Sequence, residues 1–578
     1  MIARVACAAG AALLVGCATA TRAPSGAPAI VRPSPLALLR HDVDSMVALP
    51  EYRNAHWGIL IVDPDRGDTL YSRNAGKLFM PASNMKIITG SVALAQLGAD
   101  FRFRTTFAAT GPVCDGVLRG DLVVIGRGDP SISDAMRGGD AMAPMREIAD
   151  SLAARGITRI AGSIVAGGDA FPGPTLGYGW SWDDMGEPYS AGVDELFFDE
   201  GYGRVVVRGG AAPGAPVTVT ALPASRYPLV RIEARTATAP DSAAPGSGAR
   251  LTTALTSGLD TRVDPATGAV VLSGWIAPSW VDTLDIVYPD QRAAYLAALG
   301  EAIAARGIAV GDTGTRVLTT SRRHVSVDPS VDPSVDPSRS RCQGGSAMGA
   351  TRPDARGGVP PHAPAGVTRG ASPAARAMLG ASPADTVPPR TDTLFVYESA
   401  PLRDVLKAML KPSQNQIAEI LLRTLGLERA GFGRADSGSA VVARQLLAWG
   451  AQPDGFVLRD GSGLSRYDYL TPETIVHALA AIRHDTAFAA FYDGLPIAGV
   501  DGTIAGRMRG TPAQGNVHAK TGYVANARSL SGYVTTADGR TLIFSALCNN
   551  WTVPVRDVEQ VQDAIAERLA SLTLAEAR

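Results

Sequence analysis

Read by its apolar spacing, the chain begins with two stretches of different rhythm. Residues 5–15 are small and apolar behind Arg4, a run too short to span a bilayer. Residues 36–49 then repeat apolar side chains at helical spacing. His56-Trp57-Gly58-Ile59-Leu60-Ile61-Val62 reads as a strand, and the polar run from Asp63 to Asp68 as a turn. Thr69-Leu70-Tyr71 starts the return strand. A helix is predicted after Pro81-Ala82, over 83–97.

Between 101 and 321 the texture changes to short β-like runs broken by Gly and Pro. Asp121-Leu122-Val123-Val124-Ile125 and Gly203-Arg204-Val205-Val206-Val207 are examples. Two helices, near 144–155 and 291–306, interrupt these runs, so the region is expected to hold one or two inserted α+β modules. In 322–392, Val-Asp-Pro-Ser occurs three times in succession, followed by a Gly/Pro/Ala/Arg-rich stretch. Such a segment buries too little apolar surface to offset its ordering entropy, and a disordered loop is expected there. Order returns near Thr393. Helices are predicted over 402–410 and from about 416, a β-meander over 515–549, and a last helix over 555–572. The expected organisation is a leader (1–17), a flexible tether (18–35), a first half-domain (36–100), inserted domains (101–321), the loop (322–392) and a second half-domain (393–578).

Composition narrows the function classes. The formal net charge is −1 with acids and bases interspersed, which offers no footprint for nucleic acid. The histidines are scattered and no HExxH or CxxC occurs, so no metal site is expected. Leu14-Val15-Gly16-Cys17 ends the leader and resembles a bacterial lipobox, which would make Cys17 a lipidated N-terminus. Cleavage after Ala18-Thr19-Ala20 is the competing reading. Either one places the mature chain outside the cytoplasmic membrane. The basic residues are lopsided: of 54 Lys+Arg only Lys77, Lys86, Lys407, Lys411 and Lys520 are lysine. Lysine can lose its proton on desolvation, whereas guanidinium effectively cannot.

Two of those lysines fall in motifs that suit acyl transfer. Ser83-Asn84-Met85-Lys86 puts a hydroxyl and an amine three residues apart on one helical face. A partly desolvated lysine can accept the serine proton, and the helix start turns the Ser83 N–H toward a developing oxyanion. Ser413-Gln414-Asn415 offers a hydroxyl to relay a proton to a leaving amine. Its amide can bond Lys86 and a substrate carbonyl. Lys520-Thr521-Gly522 on a strand presents a cation and a hydroxyl to a carboxylate, and Gly522 would let substrate lie along the strand edge. The N–H of Tyr523 would be the second oxyanion donor. Each motif alone is weak; three in order, each on the right kind of element, are not.

In this order the motifs resemble the SxxK/SxN/KTG set of the β-lactamase and penicillin-binding superfamily. Ser413 follows Ser83 by 330 residues. So large an insertion is similar to that of the class C low-molecular-mass penicillin-binding proteins, the S13-type D-Ala-D-Ala carboxypeptidase/endopeptidases. Gly126-Arg127-Gly128-Asp129-Pro130, Gly179-Trp180-Ser181-Trp182, Asp460-Gly461-Ser462-Gly463-Leu464-Ser465-Arg466 and Gly499-Val500-Asp501-Gly502-Thr503 extend the likeness. The resemblance implies a multidomain α/β (α+β) chain. Its transpeptidase domain would be an antiparallel sheet flanked by helices, carrying large inserted α+β domains. It further implies peptidoglycan stem peptides as substrate, β-lactam antibiotics as acylating inhibitors of Ser83, and no cofactor. By the same resemblance Asp169 would meet the ammonium of a diaminopimelate side chain. Arg466 would help bind substrate or serve structure, and Trp180 and Trp182 are expected in the core. Two other readings stay open: a β-lactamase or esterase on the same scaffold, and a non-catalytic peptidoglycan-binding scaffold.

Overall fold

A computed structural model describes residues 33–238, 256–264, 266–311 and 391–574. The leader with Cys17, the tether up to 32 and the low-complexity loop up to 390 lie outside the described residues. Ser34 and Pro35 open helix α1 (Pro35–Val47): the Ser34 hydroxyl accepts the Ala37 N–H, and Pro occupies a position whose own N–H would go unused. Strands β1 (His56–Asp63) and β2 (Asp68–Arg73) form the predicted hairpin. Helix α2 (Met85–Leu97) starts two residues later than its periodicity suggests, because Ala82–Asn84 forms a tighter 3₁₀ turn first.

The insertion follows. It contains β3 (Arg104–Ala109), β4 (Leu122–Ile125), α3 (Ala143–Ala154), β5 (Ile164–Gly167), β6 (Tyr202–Arg208), β7 (Val270–Ile276), β8 (Val281–Val287) and α4 (Gln291–Ala305). Phe107, Leu122, Val124, Met145, Leu152, Leu299 and Ile303 join sheet and helices in one buried core. A smaller core of Val205, Val207, Val270, Leu272, Ile276 and Ile286 lies among strands alone. The insertion therefore comprises one α+β unit and one all-β unit. Strand β9 (Asp392–Glu398) pairs antiparallel with β3, so the chain returns to the inserted sheet before it re-enters the catalytic half. The boundary expected at 393 moves to about residue 400, since a strand's neighbours rather than its place in sequence decide its domain.

Helices α5 (Leu402–Leu410), α6 (Asn415–Ala430), α7 (Ala435–Ala448) and α8 (Pro472–Ile482) precede the meander β10 (His518–Val524), β11 (Ala527–Thr535) and β12 (Thr541–Asn549), and α9 (Val555–Ala570) closes it. The five-stranded antiparallel sheet runs β2-β1-β12-β11-β10, which leaves β10 at an edge. Period-two alternation sorts its side chains between two cores. Ile59, Ile61, Leu530, Phe544 and Ala546 face α1 and α9, while Leu60, Tyr533, Ile543 and Leu547 face the other helices. Both faces are covered, so the central strands β1 and β12 are largely apolar. Among the described residues no helix is long and apolar enough to cross a membrane.

Leu406 on α5 is fully buried in the helical core, against Gly90 of α2, where even one added carbon would come within 2.8 Å of it. Leu406→Ala is expected to lower the unfolding free energy of the catalytic unit by about 2–5 kcal/mol, read as a reduced urea midpoint.

Candidate active site

Ser83 sits in the turn that leads into α2, and the turn is held in a conformation its residues resist. Ala82 has φ +47°, left-handed for a residue with a Cβ. Two contacts to the sheet fix it: Ser529 of β11 donates its hydroxyl to the Pro81 carbonyl at 2.7 Å, and the Asn84 side-chain amide donates to the Lys520 carbonyl at 2.8 Å. Gly522 is required by the same packing. A Cβ there would collide with the Ser529 hydroxyl, and would lie 2.7 Å from Pro81 O and 2.8 Å from Ser83 N. The glycine thus admits the turn that carries Ser83 to β10, a role beyond making room for substrate. This close approach also brings the Ser83 N–H beside the strand position that precedes Tyr523.

Lys86 is wholly buried and its ammonium reaches three acceptors on three segments. They are Ser83 Oγ at 2.9 Å, Asn415 Oδ1 at 2.6 Å and the Ser462 carbonyl at 2.8 Å. Burial pulls the lysine down to about 7, against the opposing pull of the Asp460 and Glu419 carboxylates. Lys520 is equally buried and donates to Ser413 Oγ and to the Thr521 carbonyl, both at 2.8 Å. Desolvation first, and then the neighbouring Lys86 and Arg528, hold it well below the ordinary lysine range. Ser413 has φ +71°, in the turn whose Gln414 side chain caps α6 by accepting the Ile417 N–H. Thr521 shares a 2.7 Å hydroxyl contact with Thr503, and Lys411 pins the loop before α6 through Asp501 and the Leu495 carbonyl. Ser83, Lys86, Ser413, Asn415, Lys520, Thr521 and Gly522 therefore form one continuous site.

The insertion takes part in it. Asn415 donates its amide to the Tyr189 carbonyl at 2.7 Å, and Gln416 donates to the Pro188 and Ala191 carbonyls. Trp180 is buried as expected and donates its indole N–H to Asp460 Oδ2 at 2.9 Å. Trp182 is not in the core: it is 81% exposed. Its flanks explain the difference, since Ser181 and Asp183 bond each other in a surface turn rather than burying the ring between them. Arg466 donates to the Ala525 carbonyl in the turn after β10 and so borders the site. Asp169 lies in the loop just past the end of β5. Its neighbour Ala170 packs on Gly433, beyond the end of α6 opposite Asn415.

Periodicity and motif reading missed the groups behind Lys86. Glu419 lies one helical turn after Asn415 on the same face of α6, and its Oε1 accepts the Gly461 and Ser462 N–H groups at 2.9 Å. Asp460 accepts the Ser462, Gly463 and Ser465 N–H groups, the Ser462 hydroxyl and the Trp180 indole. The signal was the pair of acids inside otherwise apolar or glycine-rich strings, Ile417-Ala418-Glu419-Ile420 and Asp460-Gly461-Ser462-Gly463.

The sequence profile of the D-Ala-D-Ala carboxypeptidase 3 (S13) family matches residues 39–263 and 381–572. The chain belongs to this family. It is 32% identical over 546 residues to a D-alanyl-D-alanine carboxypeptidase of Actinomadura sp., covering 92% of this chain and 84% of that protein. A 170-residue stretch, 28% of this chain and 35% of the relative, is 35% identical to the D-alanyl-D-alanine carboxypeptidase DacB of Haemophilus influenzae. In fold the chain is similar to the crystal structure of penicillin-binding protein 4 (dacB) from Haemophilus influenzae. The TM-score is 0.66 at 22% identity, over 92% of this chain and 99% of that one. The S13 chain described here is thus a serine-type carboxypeptidase on a penicillin-binding-protein fold.

Because Gly522 fits the Ser83 turn so closely, Gly522→Ala is expected to slow the reaction of this S13 chain with penicillin by about 100-fold or more, by displacing that turn. The check is stopped-flow acylation with a fluorescent penicillin, alongside a melting curve showing that the variant remains folded.

Proposed function

We propose that Ser83 is the acylated nucleophile of a D-Ala-D-Ala carboxypeptidase and DD-endopeptidase that acts on peptidoglycan stem peptides. The observation that carries this reading is the 2.9 Å bond between Ser83 Oγ and an amine, Lys86, that burial has brought down to about 7. In that range the lysine exchanges its proton readily near neutral pH, which suits a general base.

Lys86 takes the Ser83 proton as Oγ attacks the carbonyl between two D-alanines, or between D-Ala and a cross-linking residue. The Ser83 and Tyr523 N–H groups stabilise the oxyanion. Ser413, held by Lys520, passes a proton to the departing amine, and Asn415 steadies both Lys86 and the substrate peptide. Thr521 and the Lys520 charge receive the substrate's terminal carboxylate. Water then releases the acyl-enzyme by the reverse proton route. A β-lactam ring acylates Ser83 in the same way, but its leaving amine stays tethered and the adduct persists. Arg466, beside the turn after β10, is assigned to the substrate rim. Asp169, set apart from the catalytic groups, retains the diaminopimelate role only for the distal part of a stem peptide. The leader and its Cys17 are assigned to export and lipid anchoring, so that the enzyme works on the cell wall from the membrane surface. The names of the relatives support the substrate class, and the buried, fully engaged motif lysines favour catalysis over a binding scaffold.

Two outcomes are expected. Intact-mass analysis after penicillin should show one stable adduct on the native enzyme and none on Ser83→Ala; rapid nitrocefin turnover without an adduct would favour a β-lactamase instead. Since Lys86 must be unprotonated to accept the serine proton, acylation should rise with pH through about 7 and be lost below it, as measured by penicillin acylation rates from pH 5 to 9.

A further inference from the structure

Behind Lys86 the protein buries two carboxyl groups, and their surroundings are unequal. Asp460 is surrounded by donors: three backbone N–H groups, a hydroxyl and an indole N–H reach its two oxygens. That is the environment of a carboxylate. Glu419 is served on one side only. Its Oε1 accepts two backbone N–H groups, whereas Oε2 is buried and meets no hydrogen-bond donor among the described residues. No ion pair within 4 Å joins Glu419 to Lys86 or to Arg423, one turn further along α6, among the described residues. Arg423 instead donates to the Pro174 carbonyl. A buried carboxylate with one oxygen unserved and no cation in contact is the costlier of its two protonation states.

We propose, resting on the Ser83–Lys86 reading above, that Glu419 is a positioning residue that stays protonated while Lys86 works as a base. The lysine then faces one buried carboxylate, Asp460, rather than two. Glu419 also orients the Ser462 peptide, whose N–H it binds and whose carbonyl Lys86 touches at 2.8 Å.

The charged groups around this pocket agree. Lys86 comes from α2, Asp460 from the loop after α7 with Asp468 behind it, and Arg423 from α6 itself; Asp194 and Glu195 of the insertion face Arg423. Burial first, and then the Asp460 charge, push Glu419 well above the carboxylate range. If Glu419 ionised, Lys86 would be held as an ammonium between two anions and could not take a proton. With Glu419 neutral, the Ser83 O–H bond breaks, its electron pair stays on Oγ, and a new N–H bond forms on Lys86. Glu419 keeps its own proton throughout.

The test is Glu419→Gln, which keeps an acceptor for the two N–H groups but can never become an anion. Its acylation profile with penicillin should keep the native midpoint and stay within about twofold of the native rate, because a neutral amide there replaces a neutral acid. A midpoint about one unit lower would mean that native Glu419 is an anion while Lys86 titrates, and acylation slowed about tenfold at every pH would mean a purely structural role; either result would overturn the proposal. A second measurement needs no variant: with only five lysines, ¹³Cε-lysine labelling gives few enough signals to follow Lys86 directly. Its titration in the native protein should show two steps, one from its own proton and one from Glu419. A single step would overturn the proposal even if Glu419→Gln failed to fold. Absence of any penicillin adduct on the native enzyme would count against the nucleophile assignment instead, and the lysine titration would still decide the state of Glu419.

Discussion

Lys86 and Lys520 are both removed from water, and a buried ammonium must be surrounded by acceptors or give up its proton. Lys86 meets this demand with oxygens from three distant segments: the turn before α2, the start of α6 and the loop around Ser462. Residues hundreds of positions apart are thereby brought to one nitrogen. Lys520 has fewer acceptors and lies near Lys86, which adds to desolvation in discouraging Lys520 from remaining charged. The proton economy of the site follows from this shared desolvation, and the acids behind Lys86 decide how far it goes.

Holding the amines in place requires backbone conformations that would not persist alone. Ala82 and Ser413 both have positive φ, each costing on the order of 1–3 kcal/mol. The surrounding packing supplies the restraint. Gly463 lies directly on the Ala82 carbonyl, and Asn84, Ser529 and Gly522 lock the Ser83 turn to the sheet. Strain is concentrated beside the two serines assigned to chemistry, where orientation matters most.

Much of this could be read in the sequence. The three motifs fell on the element types expected, because their chemistry depends on local spacing: a helical turn for Ser83 and Lys86, a cap for Ser413 to Asn415, a strand for Lys520 to Gly522. Helices α4 and α5 were found within a residue or two. What local pattern could not supply was partnership across the chain. Strand β9 looked like part of the second catalytic half until its pairing with β3 was known. Trp182 looked like a core residue because tryptophan usually is. Glu419 sat inside an apolar helical run where nothing local betrayed a polar neighbour 43 residues further on. Asp169 was drawn from resemblance alone, and it lies in the loop just past the end of β5.

The hydrogen bond from Asn415 to the Tyr189 carbonyl gives the insertion a history as well as a place. A domain inserted into a loop is at first removable, since its host folded without it. Here the host's own motif asparagine, its neighbour Gln416 and the acid Asp460 have all taken partners on the insertion. Excising it would leave an amide, a second amide and a carboxylate without those partners in the middle of the site. The graft has become a ratchet: chain could be added to such a scaffold step by step, but a lineage that built its catalytic hydrogen bonds across the seam can no longer return by deletion.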